Sequence, residues 1–264
     1  MKAIILAAGE GIRLRPLTED IPKCMVKIFG KSLLEHQLDV FEKVGIRDIT
    51  IVTGHKSNSI KIPNVKYYKN ENYNSTNMVE TLFCAKNELS GSIIVSYGDI
   101  IFERSVLEKL ITTDEDYAVV IDKDWRKYWS VRFENPLTDL ESLKLDENNY
   151  IKEIGQKVSN FNEIQGQYIG LVKFQSNATE FIKKFYQHAK DESERSVNIL
   201  NPKIPFEKSF MTDFLQGLIN VGCKLKSVQI SNRWLEIDTL NDYNIYNSMY
   251  KDKKLSQFID MKML

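Results

Sequence analysis

The sequence has few cysteines, no surplus of charge of either sign and no long apolar run. Its 264 residues include three cysteines, Cys24, Cys84 and Cys223, an odd number without a CxxC pair. This spacing disfavours a disulfide framework or a zinc site and indicates a reducing, cytoplasmic setting. The 36 Lys+Arg balance 36 Asp+Glu, whereas a nucleic-acid-binding protein usually has a basic excess. Any polyanionic ligand must therefore be held by a few well-placed basic side chains.

The apolar run at the start of the chain ends after a few residues, so it predicts no membrane span. The run from Ala3 to Gly9 meets glycine and charge at once, whereas a transmembrane helix needs about 20 apolar residues. It predicts a buried strand that enters a turn. The 42% hydrophobic content suits a folded chain with a sizeable core, and we expect neither a membrane nor a nucleic acid as a partner.

Strand-like and helix-like segments alternate through about the first 125 residues. The strand-like runs are continuously apolar, which is typical of strands buried on both faces. In the first predicted helix, Ser32 and Glu35 have the spacing of a capping box, and Gly45 follows as a stop. The alternation predicts an α/β fold with a mostly parallel, doubly wound sheet. Strands are predicted at 3–7, 48–53, 65–68, 92–96 and 117–121, and helices at 32–44 and 78–89.

The pattern changes between Trp129 and Phe174, where short strand candidates lie between turns rich in Asn, Asp and Pro. This composition predicts a small β-rich insertion laid over the sheet. Helices then return, followed by one strand and a final helix. The predicted strands of the insertion are 130–133, 142–145, 150–154 and 168–174; after it come helices at 178–190 and 207–221, a strand at 225–230 and a helix from 239.

The strongest chemical signal follows the first predicted strand. Small residues and glycines there let the backbone approach an anion closely, and Arg13 and Lys23 supply positive charge. Leu14 occupies the third glycine position of the dinucleotide fingerprint, which disfavours a dehydrogenase. The stretch does not match the phosphate loop of P-loop ATPases either. We expect this stretch, with Leu6, Ala7, Ala8, Gly9 and Gly11, to bind an anion such as a triphosphate.

Two aspartates follow apolar, strand-like runs at distant points of the chain. Asp99 comes directly after Gly98, and Asp238 follows the run 234–237. Mg²⁺ is commonly bound by one or two carboxylates together with phosphate oxygens of a substrate. Two carboxylates so far apart in the chain can hold one cation only if the tertiary structure brings them together.

These motifs resemble the signature of the nucleotidyltransferases that activate sugar phosphates and other phosphorylated small molecules. The resemblance implies Mg²⁺-dependent transfer of a nucleotidyl group to an acceptor phosphate, with release of pyrophosphate. It implies that Arg13 contacts the β- and γ-phosphates, Lys23 the α-phosphate and Lys157 the acceptor phosphate. It also implies that Asp99 and Asp238 bind the metal. The matching stretches are 6–18 with 22–23, 97–99, 154–157, 167–170 and 234–238.

Three further segments narrow the resemblance. The segment 74–82 is similar to cytidylyltransferases that act on phosphocholine, aminoalkyl phosphonates or phospho-amino acids. The segments 122–129 and 210–216 resemble the branch that transfers a cytidylyl group to L-glutamine phosphate in capsule or surface polysaccharide biosynthesis. The resemblance thus implies a CTP-dependent cytidylyltransferase. Two alternatives stay open, a sugar-1-phosphate uridylyl- or thymidylyltransferase and a non-catalytic, nucleotide-binding regulatory subunit.

The resemblance also divides the chain by role. We expect a single domain over 1–264, in which 1–125 binds the nucleotide and 126–238 binds the acceptor and supplies the second metal-binding aspartate. The helical tail, 239–264, either packs on its own chain or forms a contact in a homodimer. The further site residues are Thr76, Asn77 and Gly98 for the nucleotide, and Trp125, Arg126, Lys157 and Gln167 for the acceptor.

An aromatic cluster lies within the predicted acceptor part. Trp125, Tyr128 and Trp129 stand close together, with Arg126 and Lys127 between them. The cluster admits three interpretations: an aromatic box for a quaternary ammonium group, a cationic rim for a carboxylated acceptor, or packing under a lid. The neighbouring cations disfavour an aromatic box and favour an acidic or zwitterionic acceptor.

Overall fold

The computed structural model describes all 264 residues, and strands and helices alternate along most of the chain. The strands are β1 (Lys2–Ala7), β2 (Lys27–Ile28), β3 (Lys31–Ser32), β4 (Ile49–Thr53), β5 (Lys66–Lys69), β6 (Ile93–Tyr97), β7 (Ile100–Phe102), β8 (Tyr117–Asp122), β9 (Glu141–Leu145), β10 (Tyr150–Lys157), β11 (Gln167–Phe174), β12 (Leu225–Ile230) and β13 (Trp234–Glu236). The helices are α1 (Leu33–Lys43), α2 (Met78–Cys84), α3 (Arg104–Thr112), α4 (Trp125–Arg132), α5 (Ser176–Arg195), α6 (Met211–Asn220) and α7 (Leu240–Lys251).

Nine strands form one sheet in the order β5-β4-β1-β6-β11-β8-β12-β10-β9. The neighbours β5, β4, β1 and β6 run parallel, and so do β8 and β12. Only β11 and β10 run in the opposite direction, because each is antiparallel to the strands on both its sides. The prediction of a mostly parallel sheet is therefore confirmed.

Helices cover both faces of this sheet, as predicted. Successive residues of β1 point to opposite faces, so Ala3 and Ile5 join one apolar core while Ile4 and Leu6 join the other. The first core is closed by α1, α3, α4 and α7, and the second by α2, α5 and α6. None of these helices combines the length and apolar composition that crossing a membrane requires.

The predicted β-rich insertion does not form a separate layer over the sheet. Its strands β9 and β10 extend one edge of the main sheet, and β11 lies in the middle, between β6 and β8. Nearly every residue of β11 is buried, and a strand buried on both faces is stable only inside a sheet. Even Lys173 is buried there, where its ammonium donates a hydrogen bond to the Thr113 carbonyl just after α3.

The predicted strand at 130–133 is wrong, because these residues belong to helix α4 and the turn after it. Trp125, Tyr128, Trp129 and Arg132 recur at helical spacing, and all four are buried. Helix α3 and the short strand β7 were not predicted, whereas the strand-like run predicted before Asp238 forms β13. The predicted capping box of the first helix is present, since Ser32 Oγ accepts a hydrogen bond from Glu35 N at 3.2 Å.

The C-terminal tail packs on its own chain. After α7, the side chains of Leu255, Phe258 and Ile259 are buried in the core on the α1 face of the sheet. The Arg233 amide donates a hydrogen bond to the Phe258 carbonyl, which ties the tail to the segment before β13. Of the two interpretations of the tail, packing within the chain accounts for these apolar residues.

Candidate active site

The carboxyl ends of β1 and β6 lie side by side and carry two of the predicted motifs. The strands are parallel neighbours, so the loop after Ala7 and the Gly98-Asp99 pair emerge at the same edge of the sheet. The Gly98 amide donates a hydrogen bond to the Leu6 carbonyl at 2.9 Å. A Cβ atom at Gly98 would stand 2.8 Å from that oxygen, so a side chain at this position would force the two segments apart.

A small ladder of two strands brings Asp238 to the same edge. Strand β7 follows Asp99 and pairs antiparallel with β13, which precedes Asp238. The ladder continues into the site, because the Ile237 amide donates a hydrogen bond to the Asp99 carbonyl at 3.0 Å. The two distant aspartates are therefore positioned by one local pairing that the sequence did not predict.

Lys23 lies between the two aspartates. Its Nζ is 2.6 Å from Asp99 Oδ2 and 2.5 Å from Asp238 Oδ1, while Arg13 Nη2 is 2.5 Å from Asp238 Oδ2. Burial opposes the charge on Lys23, but the carboxylates of Asp99 and Asp238 outweigh it and raise the pKa of this lysine above its ordinary value. Burial likewise opposes the charge on Asp238, yet Lys23 and Arg13 hold the pKa of this carboxyl below its ordinary value. Lys23 and Asp238 are thus both charged near neutral pH.

The donor set around Lys23 fits a divalent cation that binds together with a substrate. Asp99 Oδ1 is buried and accepts no hydrogen bond, so one carboxylate oxygen is free to take a ligand. The chain contains no group of three His, Cys, Asp or Glu side chains arranged to hold an ion alone. Mg²⁺ commonly takes only one or two carboxylates and completes its shell with water and phosphate oxygens. Asp99 and Asp238 match that requirement.

Glu236 is a third acidic residue of this region that the sequence analysis missed. It lies two residues before Asp238, and its Oε2 is 2.8 Å from Arg132 Nη1. Burial raises the pKa of Glu236, with the nearby Asp99 and Asp238 carboxylates adding to the effect of burial and Arg132 opposing it. The period-two alternation of β13, with Trp234 and Glu236 on one face, is the signal that could have placed this carboxylate on the same side as Asp238.

A cavity beside this charged group is lined by nearly all of the predicted nucleotide-binding residues. Of the predicted set, only Gly11 lies outside the cavity wall. Gly11 has a positive φ of 68° and supports the loop instead, since its carbonyl accepts a hydrogen bond from Thr18 Oγ1 at 2.7 Å. The cavity is lined by Leu6, Ala7, Ala8, Gly9, Lys23, Cys24, Tyr73, Thr76, Asn77, Met78, Thr81, Tyr97, Gly98 and Asp99.

Hydrogen bonds within the chain fix one wall of this cavity. The Asn77 side chain caps helix α2 by accepting a hydrogen bond from the Met78 amide at 2.8 Å. Thr76 Oγ1 accepts a hydrogen bond from Asn70 Nδ2 at 2.8 Å and donates one to the Asn72 carbonyl at 2.9 Å. Thr76 and Asn77 therefore hold the wall in place before any ligand arrives.

A second cavity adjoins the first and contains one of the predicted acceptor-binding residues, Gln167. Met78 and Tyr97 line both cavities, while Arg13 and Glu236 lie on the side of the second that faces the charged group. Lys23 and its two aspartates thus lie near the junction of two cavities. The remaining walls of the second cavity are formed by Trp129, Asp139, Glu141, Ser142, Ile154, Tyr168, Phe210 and Thr212.

The other three predicted acceptor-binding residues lie outside the second cavity. Trp125 is 2% exposed and packs in the core, with its ring 5.8 Å from that of Phe161. Arg126 is exposed and lies over these two rings. Lys157 lines a further cavity, which is continuous with the second through Glu141, Phe210 and Thr212. Of the three interpretations of the aromatic cluster, packing accounts for it best, and only Trp129 also reaches the second cavity.

Comparisons with known proteins identify the family and its relatives. A family model for the MobA-like NTP transferase domain matches residues 3–160. The CTP:phosphoglutamine cytidylyltransferase of Campylobacter jejuni is 40% identical over 256 residues, covering 93% of this chain and 98% of the relative.

Two solved structures share the fold over nearly the whole chain. The CTP:phosphocholine cytidylyltransferase from Streptococcus pneumoniae has a TM-score of 0.72 at 21% identity, covering 94% of this chain and 98% of its own. The inositol-1-phosphate CTP transferase from T. maritima has a TM-score of 0.70 at 20% identity, covering 98% of this chain and 97% of its own. At these identities the similarity shows the fold alone.

Proposed function

We propose a function on the premise that the chain belongs to the MobA-like NTP transferase family. In this proposal the protein joins the cytidylyl group of CTP to phosphoglutamine and releases pyrophosphate. The choice of CTP and phosphoglutamine is supported by the Campylobacter jejuni relative, which is 40% identical along nearly its whole length. The observation that carries the proposal is the group formed by Arg13, Lys23, Asp99 and Asp238 near the junction of two cavities. One cavity suits the nucleotide, and the other suits the acceptor.

The proposed reaction is an in-line substitution at the α-phosphorus of CTP. An oxygen of the acceptor phosphate forms the new P–O bond, the bond from the α-phosphorus to the bridging oxygen breaks, and pyrophosphate leaves with the electron pair. A phosphate group has a second pKa of about 6, so its oxygen is already anionic near neutral pH and needs no general base. The enzyme must instead align two anions and neutralise the charge that develops.

Lys23 and Arg13 divide this work in the proposed mechanism. The Lys23 ammonium is fixed between two carboxylates and lies at the edge of the nucleotide cavity, where it would meet the charge developing on the α-phosphoryl oxygens. The Arg13 side chain is 63% exposed, so it can leave Asp238 at little cost and bind the departing pyrophosphate. Neither side chain needs to give up a proton.

We include Mg²⁺ in the proposal, with Asp99 and Asp238 as its protein ligands. The free Oδ1 of Asp99 supports this assignment. When bound, the ion would supply positive charge that draws phosphate oxygens of the two substrates together. The product is a CDP-activated group, and we assign it to the biosynthesis of a capsule or surface polysaccharide.

The proposal is tested by pyrophosphate release from the purified protein with CTP, UTP, dTTP or ATP, each combined with phosphoglutamine, phosphocholine or glucose 1-phosphate. We expect the highest kcat/KM with CTP and phosphoglutamine. A maximum with UTP or dTTP and the sugar phosphate would identify a sugar nucleotidyltransferase instead. No release from any pair would favour a regulatory subunit.

A further inference from the structure

Strands β9 and β10 carry two cross-strand pairs of opposite charge, and only one of them is bonded. Lys144 and Glu153 are partners in the ladder and form a salt bridge at 2.9 Å. Glu141 and Lys157 are also partners in this ladder, yet neither forms a salt bridge with the other or with any other residue. Neighbouring opposite charges on a sheet normally attract each other, so the open pair needs an explanation.

The local backbone explains why the second pair stays open. The register of the ladder shifts between Ile154 and Lys157, and Gly155 within this stretch has a positive φ of 78°. Such a bulge re-aims the side chains that follow it. Glu141 and Lys157 both line the further cavity described above. Glu141 also lines the second cavity, which is the one that suits the acceptor.

The surroundings of Glu141 leave its charge without compensation. The side chain is half-buried, and the carboxylates of Asp213 and Asp139 act on it, while a hydrogen bond from the Thr212 hydroxyl offsets them only in part. Burial and these two carboxylates raise the pKa of Glu141 to about 7. A cation placed at this point would stabilise the ionised carboxylate, and no basic side chain of the chain forms a salt bridge with it.

We infer that Glu141 and Lys157 bind the α-amino-acid group of the acceptor, Glu141 its ammonium and Lys157 its carboxylate. This inference rests on the proposed function, because an amino acid phosphorylated on its side chain has a phosphate at one end and a zwitterion at the other. The two charges of the zwitterion are attached to one carbon, and directly paired residues of neighbouring strands lie only about 5 Å apart. Sugar phosphates carry neither charge, and phosphocholine carries only the cation.

In this arrangement the acceptor lies along the two connected cavities. Its phosphate lies at the end next to the nucleotide cavity, and its zwitterion lies at the far side, where Glu141 joins the cavities. Lys157 therefore takes the acceptor carboxylate rather than the acceptor phosphate, which changes the role that the resemblance implied for it. The contacts with the zwitterion are distant from the reacting phosphate. We therefore expect the loss of one of these contacts to change KM for the acceptor rather than kcat.

The inference is tested with phosphoglutamine and two analogues, one without the α-amino group and one without the α-carboxylate. For the wild-type enzyme we expect each deletion to raise KM by about 10-fold or more, the effect of losing one charge-assisted hydrogen bond, with kcat nearly unchanged. Glu141→Gln should raise KM for phosphoglutamine by a similar factor. For the des-amino analogue, the KM of this variant should be close to that of the wild-type enzyme. Lys157→Met should behave in the same way with the descarboxy analogue.

Lys144→Met provides the matched control, because Lys144 is on the same strand, is exposed and lines none of the cavities described. It should change neither KM nor kcat. The inference is overturned if Glu141→Gln raises KM equally for phosphoglutamine and the des-amino analogue, or not at all. A loss of kcat in Lys157→Met with every acceptor would return this lysine to the phosphate and overturn its assignment to the carboxylate.

Binding of free L-glutamine, measured by titration calorimetry, separates this inference from the proposed function. Glutamine carries the zwitterion without the phosphate, so the wild-type protein should bind it and Glu141→Gln should bind it at least about 10-fold more weakly. Glutamine binding without turnover of phosphoglutamine would refute the proposed function and keep the zwitterion site. Turnover with no glutamine binding to either protein would refute the zwitterion site alone.

Discussion

The two ends of the active site differ in how their charges are arranged. At the reacting end, Lys23 is bonded to Asp99 and Asp238, and Asp238 is also bonded to Arg13. At the acceptor end, Glu141 and Lys157 are cross-strand partners, yet neither forms a salt bridge with the other or with any other residue. Charges that stabilise a transition state act best when they are fixed beforehand, because no reorganisation is then needed during the reaction. Charges that select a substrate can stay open, since the substrate brings the counter-charge.

Buried polar networks fix the two aspartates of the reacting end. Beside Asp99, Gln37 Nε2 donates hydrogen bonds to the Tyr97 and Ile100 carbonyls, both at 2.8 Å. Beside Asp238, Asp242 Oδ2 accepts a hydrogen bond from the Asp238 amide at 3.1 Å, and Asp242 is in turn paired with Arg132. At Glu141, by contrast, the Thr212 hydroxyl is the hydrogen-bond partner of the carboxylate, and no guanidinium or ammonium pairs with it.

The largest effect is expected from removing the ammonium at the reacting end. Lys23→Ala should lower kcat by at least about 10²-fold, because it deletes a fixed donor at the position where charge develops. The circular dichroism spectrum should stay that of the wild type. Lys27→Ala, which changes an exposed lysine on the neighbouring strand β2, is the control and should keep full activity. Near-normal turnover in Lys23→Ala would remove this lysine from the mechanism.

An effect on stability rather than on turnover is expected from breaking the network that holds Asp238. The Arg132 side chain is 1% exposed and pairs with Asp242 and Glu236, so Arg132→Met leaves buried carboxylates without a partner. We expect the free energy of unfolding in urea to fall by about 3–5 kcal/mol. Arg104→Met removes an exposed guanidinium from its pair with Glu108 and should cost under about 0.5 kcal/mol. Equal losses in the two variants would show that Arg132 has no special role.

The smallest effect is a pH dependence that belongs to the acceptor end. Because the pKa of Glu141 is about 7, its charge disappears as the pH falls from 8 to 6, and KM for phosphoglutamine should rise several-fold. The acceptor phosphate also titrates in this range. The KM of Glu141→Gln should still respond to titration of the phosphate but no longer to titration of residue 141. The difference between the two KM profiles therefore isolates Glu141. The charged groups that share its two cavities are Arg13, Asp139, Glu153, Lys157, Lys203, Asp213 and Glu236.

The same pKa fixes the sign of a stability effect. The pKa of Glu141 is raised in the folded protein, so ionisation of this carboxyl works against folding, and stability falls as the pH rises from about 4.5 to about 7. At pH 8, Glu141→Gln should melt no lower than the wild type while its KM is higher. A lower melting temperature together with identical KM profiles would mean that Glu141 has only a structural role.

Local signals made the reacting end predictable. The continuous apolar run of β1, the glycines after it and the capping box at Ser32 each lie within a few neighbouring residues. The strand predicted at 130–133 is wrong because aromatic and β-branched residues favour strands, and at the end of helix α4 tertiary packing overrides that preference. Period-3.6 spacing of Trp125, Tyr128, Trp129 and Arg132 was the better guide.

The acceptor end was hidden because its walls come from segments with no sequence relation. Glu141 lies on β9, Lys157 on β10 and Thr212 on α6, and only the packing of these elements makes one cavity. A register shift in the ladder decides where Lys157 points, and this shift cannot be predicted from the spacing of residues in the sequence. A charged pair that stays apart is visible only after the strands are aligned.

The central position of β11 limits how this protein can be divided. The family match ends at residue 160, whereas β11 spans Gln167–Phe174 and fills the space between β6 and β8. A fragment cut at 160 would lack both β11 and β12 and would leave β6, β8 and β10 with unpaired edges in the middle of the sheet, which invites aggregation. The amino-terminal portion is thus not a portable module, and chimaeras that exchange acceptor preference with a relative must retain β11 while grafting the edge strands β9 and β10.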